Sequence, residues 1–196
     1  VLRADSPGGD PLPSDLVARE MKKTAEVKPV IVSQGSVAGS GGYWISMYAD
    51  SILAAPITVT GSIGVISVYL YDDGFGDKIG LTYDQVKRGE SSDIDRGLTL
   101  PLIGATLPHR PMTEEERARA EELIRAMYKD FVGYVAEGRG MTPEQVDEVA
   151  QGHFYSGARG VEIGLVDEIG GLWDAVRLAK AAAGMDPDER VEFDAL

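Results

Sequence analysis

A strand-like run that leads straight into a glycine-rich bend most constrains how this chain of 196 residues can fold. Residues 30–32 read Val-Ile-Val, a β-branched run typical of a buried strand. Residues 35–44 follow, with four glycines among ten residues, and lead into a predicted helix. A strand, a tight bend and a helix in this order indicate a βα unit.

Strand and helix patterns alternate along the rest of the chain. We predict further strands at Ser51–Ala54, at 63–70 and at 165–167, and a weaker one at 83–87. Strands that alternate with helices predict an α/β fold with a largely parallel sheet, flanking helices and a C-terminal helical part. The length suits a single domain over residues 1–196.

Helix signals are strongest in the middle of the chain. Thr113 and Glu116 predict a capping box at the start of a long helix. An earlier helix is predicted to be capped by Asp15. Residues 89–111 hold three glycines and three prolines without a clear period, so we predict an exposed or partner-contacting loop there.

Composition excludes several classes of function. Cysteine is absent, which excludes disulfides, thiolate catalysis and cysteine-based zinc sites, and two histidines are too few for most histidine-rich metal sites. The chain has 32 acidic and 19 basic residues, a net charge of −13, whereas a non-specific nucleic-acid binder needs a basic face. We therefore expect no metal, no cofactor and no nucleic-acid partner.

Two glycine-rich segments carry the candidate chemistry. In residues 6–10, the adjacent Gly8 and Gly9 follow a strand and can point backbone N–H groups into a cleft. In residues 35–44, Ser40 lies at the entrance of a helix, where the N-terminus favours developing negative charge. This resembles the logic of a nucleophile elbow. A plain strand-to-helix turn and a helix cap are the structural alternatives.

An activated serine needs a base, and the residues offer no clear one. Neither His109 nor His153 has a neighbouring carboxylate pattern that indicates a triad, and we interpret both as structural or surface residues. Of the seven lysines, only Lys87 lies near a segment that we expect to approach the site.

The two segments, in this order and spacing, resemble the signal peptide peptidase A (protease IV) family, whose fold is of the ClpP/crotonase type. The resemblance runs nearly end to end. Several linked motifs in the correct order are far more specific than any one of them. They lie at residues 2–9, 38–46, 60–64, 138–142, 157–159 and 164–167.

The resemblance implies a role for each matching residue. Ser40 matches the family's nucleophile, and Gly41 and the Gly8–Gly9 turn match the amides of its oxyanion hole. Ser62 matches a serine that hydrogen-bonds a catalytic lysine. That lysine is the family's general base, and burial must lower its pKa for it to accept a proton near neutral pH.

The chain departs from the family at the lysine. In short members the lysine lies where this chain has Ser92. Long members are tandem duplications, in which the C-terminal half carries the nucleophile and the N-terminal half carries the lysine, and this chain resembles that C-terminal half. We expect it to be part of a longer protein. Three sources for the lysine stay open, namely the N-terminal half, a neighbouring subunit, and Lys87, which lies five residues from the expected place.

The resemblance implies a serine peptidase with a Ser–Lys dyad that cleaves leftover signal peptides and other unfolded peptides. It implies a place at the bacterial cytoplasmic membrane, on the extracytoplasmic side, with the anchor outside this segment. It also implies homo-oligomers, tetramers in the tandem type and octamers in the short type. Two alternatives are a catalytically incomplete half that binds peptides or assembles, and the acyl-CoA chemistry of the related crotonases, in which Ser40 would have no role.

Overall fold

The structure, a computed structural model, describes residues 1–102, 104–186 and 189–191. The chain divides into two compact units, the first comprising Val1–Val65 with Met127–Leu196 and the second Ile66–Ala126. In chain order the elements are β1 (Leu2–Ser6), α1 (Pro11–Ala25), β2 (Ile31–Gly39), α2 (Gly41–Trp44), β3 (Ser51–Ala54), β4 (Val59–Gly61), α3 (Phe75–Lys78), β5 (Gly97–Leu100), β6 (Ala105–Pro108), α4 (Glu114–Arg139), α5 (Pro143–Val149), β7 (Phe154–Ser156), α6 (Gly157–Glu162), β8 (Glu168–Ile169) and α7 (Leu172–Ala182).

Strand β2 organises the six-stranded sheet of the first unit. Its residues pair in parallel with β1 on one edge, and with β3 and then β4 on the other. The outer strands are β8, parallel to β3, and β7, antiparallel to β4. Four of these five pairings are parallel, so the prediction of an α/β fold with a largely parallel sheet and flanking helices is confirmed.

Buried apolar side chains hold α2 in place at the end of β2. Tyr43 is fully buried and donates its hydroxyl hydrogen bond to the carbonyl oxygen of Leu165, at 2.9 Å. The ring of Trp44 stacks on that of Phe131 in α4, with ring centroids 4.2 Å apart. Full burial of one large apolar side chain is worth about 1.5–3 kcal/mol, so these contacts fix the bend between β2 and α2.

Apart from the first half of α4, the second unit contains little regular structure. Strands β5 and β6 form an antiparallel hairpin, and α3 is a single short helix. The Tyr69 hydroxyl lies 3.1 Å from the carbonyl oxygen of Ile94 and 3.0 Å from that of Arg110, and its single proton is shared between them. This contact ties the segment before α3 to those on either side of the hairpin.

Several local predictions are confirmed and others are wrong. The capping box is present, because the Glu116 amide donates to Thr113 Oγ1 and the Thr113 amide donates to Glu116 Oε2. The predicted strands at 63–70 and 83–87 are wrong, since neither segment joins a sheet. Strand β8 begins at Glu168, just after the strand predicted at 165–167.

Two further predictions fail for identifiable reasons. Helix α1 begins at Pro11 and is capped by Asp10, not Asp15, because proline fits the first helical position, where its missing N–H is not needed. The segment 89–111, predicted as a loop, contains the β5–β6 hairpin, whose strands are only four residues long. Strands this short leave too few alternations to show a period.

Among the described residues, none of the helices combines the length and the apolar character needed to cross a membrane.

Candidate active site

Ser40 lies in the sharp bend between β2 and α2. Its backbone has φ 52° and ψ −117°, a conformation that costs a non-glycine residue about 1–3 kcal/mol. The Ser40 amide donates to the carbonyl oxygen of Gly61 at 2.9 Å, and its own carbonyl accepts from Trp44 at 2.9 Å. The side chain is half-buried, and among the described residues of the first unit no group hydrogen-bonds its hydroxyl. The bend therefore presents an uncommitted hydroxyl.

The Gly8–Gly9 turn lies directly against this bend. Gly8 has φ 115°, and a Cβ on it would stand 2.7 Å from Ser40 Cβ and 3.0 Å from the Gly41 nitrogen. A side chain at Gly8 would therefore collide with Ser40. The Gly9 nitrogen lies 3.3 Å from the place that a Cβ on Gly41 would take. The structure thus brings together the two glycine-rich segments that the sequence singled out.

Two backbone amides at this contact are free to donate. Gly41 is the first residue of α2 and has no acceptor inside the helix. Within the part of the chain that the structure describes, neither the Gly41 amide nor the Gly9 amide has a hydrogen-bond acceptor. The Gly8 amide is engaged, because it donates to Ser6 Oγ at 3.2 Å. Because α2 has only four residues, these individual amides, more than a helix dipole, supply the positive charge beside Ser40.

Ser14, which the sequence analysis did not single out, lies near the start of α1 and directly against Gly41. Its hydroxyl donates to the carbonyl oxygen of Asp10 at 2.9 Å. Ser14 Oγ also lies 2.6 Å from the place that a Cβ on Gly41 would take. A serine in the first turn of a helix is common, so no sequence signal marks this residue.

A cavity of about 250 Å³ opens between α1 and the glycine turn. Its apolar lining comes from Pro13, Val17 and Ile45, and its remaining wall includes Gly8, Gly9 and Gly41. Since the three glycines are those around Ser40, the cavity can take an apolar side chain beside the hydroxyl.

Ser62 occupies the equivalent bend at the end of the neighbouring strand β4. Gly39 and Gly61 are paired in register, and Ser40 and Ser62 follow them with φ values of 52° and 50°. A Cβ on Gly39 would lie 3.5 Å from Ser62 Cβ. The Ser62 amide donates to the carbonyl oxygen of His153 at 2.7 Å, so the structure places Ser62 next to the bend that holds Ser40.

No base contacts Ser40 within the first unit, as far as its described residues show. His153 uses Nδ1 to contact the carbonyl oxygen of Ala150 at 2.9 Å. Lys22 is paired with Glu137 in a salt bridge. The described residues of the chain also contain no group of three His, Asp or Glu side chains that could hold a metal ion.

Lys87 and Ser92 lie in the second unit. The Lys87 ammonium group donates to Asp93 Oδ2 at 2.9 Å and to the carbonyl oxygen of Glu90 at 3.2 Å. A general base must instead offer a free lone pair to the proton that it takes. Ser92 donates its hydroxyl to the carbonyl oxygen of Gly89 at 3.0 Å.

The chain is similar to known proteases over nearly all of its length. It is 39% identical to Protease 4 of Salmonella typhi over 93% of this chain and 27% of that protein. It is 38% identical to the chloroplastic serine protease SPPA of Arabidopsis thaliana over 97% of this chain and 27% of that protein. The chain thus spans about a quarter of the length of these two relatives.

One solved structure and one family model complete the comparisons. The structure of an enoyl-CoA hydratase/isomerase family protein from Hyphomonas neptunium is similar over 85% of this chain and 41% of that protein's chain. The TM-score is 0.42 and the sequence identity is 15%, so the similarity is distant. The model of peptidase family S49 matches residues 22–186. By this match over most of its length, the chain belongs to peptidase family S49.

Proposed function

We propose that this chain is the nucleophile-bearing domain of a serine peptidase that works with a Ser–Lys dyad. The observation that carries the proposal is the contact between the strained Ser40 bend and the Gly8–Gly9 turn. Among the described residues of the first unit, the Gly9 and Gly41 amides and the Ser40 hydroxyl beside them have no hydrogen-bond partner. Membership in a peptidase family gives that arrangement its reaction class.

The proposed reaction proceeds in two steps. Ser40 Oγ attacks the carbonyl carbon of a peptide bond while its proton passes to a lysine amine, and the Gly9 and Gly41 amides stabilise the resulting oxyanion. One such donor is worth about 10²–10³ in rate. The C–N bond then breaks, the leaving amine takes the proton from the lysine, and an acyl-enzyme remains. Water attacks this ester while the lysine takes its proton, the C–O bond to Ser40 breaks, Ser40 Oγ recovers the proton from the lysine, and the acid product is released.

The lysine comes from outside this chain in our proposal. Lys87, one of the three candidate sources, already donates hydrogen bonds to Asp93 and to a backbone carbonyl. Ser92 lies at the position where the short family members carry the base. An N-terminal sister half or a neighbouring subunit of a homo-oligomer, a tetramer in the full-length form, would bring the lysine to Ser40 and Ser62.

Unfolded peptides, including cleaved signal peptides, are the proposed substrates. The apolar cavity lined by Pro13, Val17 and Ile45 supports this, because signal peptides are rich in apolar residues. The corresponding proposed location is the extracytoplasmic side of the bacterial cytoplasmic membrane, with the anchor in another part of the protein.

A fluorophosphonate probe, which reacts with activated serines, tests the nucleophile. We expect the full-length protein to be labelled and to hydrolyse an unfolded peptide, and Ser40→Ala to lose both. Ser36→Ala is the matched control, since this exposed serine lies in the same segment and should keep both activities. Undiminished hydrolysis by Ser40→Ala would reject the proposal.

A peptide-binding half without its own activity is the second candidate function. It is favoured by one observation, the lack of any base in contact with Ser40 among the described residues of the first unit. Peptide binding by residues 1–196 alone, without labelling or hydrolysis, supports this function for the isolated segment. Rapid labelling of the same segment contradicts it, because a base must then be present.

A further inference from the structure

Phe154 projects toward the nucleophile from the edge strand of the sheet. Gly39, Gly61 and Phe154 are aligned across β2, β4 and β7. A ring carbon of Phe154, Cε1, lies 3.2 Å from the place that a Cβ on Gly39 would take. Because neither glycine has a side chain, the ring reaches across β4 to the residue that precedes Ser40.

The Phe154 ring is far more exposed than a structural role requires. Its relative exposure is 62%, although phenylalanine is among the residues that folding most often buries. One part of the ring contacts the bare backbone at Gly39, and the rest stays open to solvent. A single exposed apolar residue is ordinary, whereas a contiguous exposed apolar patch marks a binding surface, and Phe154 has apolar neighbours.

The neighbouring register positions continue the apolar surface. Val37 is aligned with Val59, and registered residues on adjacent strands point to the same side of a sheet. Val59 is 37% exposed and Val37 is half-buried. On the opposite side of the sheet, Ala38 and Thr60 are fully buried. The side that carries Val37, Val59 and Phe154 is therefore the outer side.

This surface and the 250 Å³ cavity lie on opposite sides of Ser40. Ala38 pairs with Ser6 of β1 and with Thr60 of β4. A strand residue has only two edges, so β1 and β4 flank the end of β2 on opposite sides. The cavity is lined by the turn that follows β1, whereas Phe154 approaches from beyond β4.

We propose that Phe154, with Val37 and Val59, forms a second apolar subsite, which binds a large apolar side chain of a peptide substrate. The inference rests on the proposed peptidase function and deepens it. A peptide seated at Ser40 places one side chain in the cavity beside α1 and another against Phe154. Recognition then requires apolar residues on both sides of the nucleophile.

Peptide binding to the full-length Ser40→Ala variant tests the subsite without interference from hydrolysis. The probes are fluorescein-labelled ten-residue peptides of alanine and serine, each with one leucine moved along the sequence, and fluorescence anisotropy gives each Kd. We expect leucine to tighten binding about tenfold at two positions, one that reaches the cavity beside α1 and one that reaches Phe154, in line with burial of one leucine side chain. Adding Phe154→Ala should abolish the gain at the second position alone, and Phe154→Leu should restore part of it.

Ile57→Ala serves as the control, since Ile57 is 88% exposed in the same unit and lies outside the proposed subsite. It should leave every Kd unchanged. The subsite is refuted if Phe154→Ala weakens the binding of all peptides equally or of none. It is also refuted if leucine tightens binding at no position. Fluorophosphonate labelling of the Ser40 protein reports the peptidase proposal separately, so labelling without a leucine effect rejects this subsite alone.

Discussion

The two compact units are stabilised by different interactions. In the first unit, a cluster of buried apolar residues packs α4 against α1, α2 and α5, and glycines allow backbone segments to touch around Ser40. In the second unit, large apolar residues such as Ile66 and Val68 are exposed by 92% and 74%, and charged side chains link its segments. Precise backbone geometry thus coincides with the unit that has an apolar core, as catalysis by backbone amides requires.

Arg110 is the centre of the charged cluster in the second unit. Its guanidinium group contacts Asp93 Oδ1 at 2.8 Å and Glu116 Oε2 at 2.7 Å. The side chains of these two acids are only 10% and 6% exposed. Hydrogen bonds from Arg110, and then from Lys87, hold the pKa of Asp93 well below its usual range. Arg110 and the Thr113 amide do the same for the pKa of Glu116.

The largest effect should follow from Gly8→Ala, which tests how strictly the first unit depends on backbone contact. The new methyl group would meet Ser40 Cβ at 2.7 Å on a backbone with φ 115°. We expect hydrolysis and fluorophosphonate labelling to fall about 10²–10³-fold, comparable to the loss of an oxyanion donor.

Gly133→Ala is the matched control for that substitution. Gly133 lies inside α4, where a Cβ would meet nothing within 4 Å. Alanine should stabilise the helix by roughly 0.5–1 kcal/mol and leave labelling unchanged. Equal labelling of both variants would show that the Gly8 contact is not needed.

Arg110→Gln should break the second unit and leave the first intact. It removes the shared partner of two nearly buried carboxylates, and unpaired buried charge is strongly unfavourable. By hydrogen–deuterium exchange we expect amides in the second unit to exchange roughly tenfold faster or more, with the sheet unchanged. Arg119→Gln, which loses only an exposed pair with Glu115, should change neither unit. Uniform loss of protection across both units would contradict the comparison.

Acid should separate the units in the same way. Carboxyl groups whose pKa is lowered by folding stabilise the native state above their unfolded pKa, which is about 4. This stabilisation is lost as pH falls below about 4, toward the lowered pKa values of Asp93 and Glu116. Exchange, corrected for the intrinsic rate at each pH, should rise in the second unit before the first. Simultaneous opening would count against a charge-stabilised unit.

Gln34→Met should have the smallest effect and sharpens the description of the first unit. Gln34 lies on β2, is 1% exposed, and its amide oxygen and nitrogen have no hydrogen-bond partner among the described residues. An unsatisfied buried polar group costs about 1–3 kcal/mol, and methionine has a similar shape. We expect a gain near 1 kcal/mol, measured as a Tm rise of about 2–4 °C. Gln85→Met, at an exposed position, should leave Tm unchanged, and a lower Tm for Gln34→Met would refute the expectation.

Local signals in the sequence predicted structure well where neighbours along the chain decide it. The capping box at Thr113 is present, because it needs only residues three positions apart. The strand predicted at 63–70 is wrong, because a strand also needs a partner and none of this segment joins a sheet.

The candidate site was predicted only in part, for a related reason. Ser40 and the Gly8–Gly9 turn stood out through their residue types and a family resemblance, and the structure brings them into contact. Ser14 and Phe154 did not stand out. Their closeness to Gly41 and Gly39 follows from helix placement and strand register, which no short motif encodes.

The positive φ at Ser40 means that the proposed nucleophile is also a weak point for folding stability. Glycine adopts that conformation without steric cost, so Ser40→Gly should yield a protein that melts at a higher temperature than its active parent yet cannot acylate. Selection for thermal robustness alone would then favour the inert form, and the hydroxyl persists only where turnover is under selection.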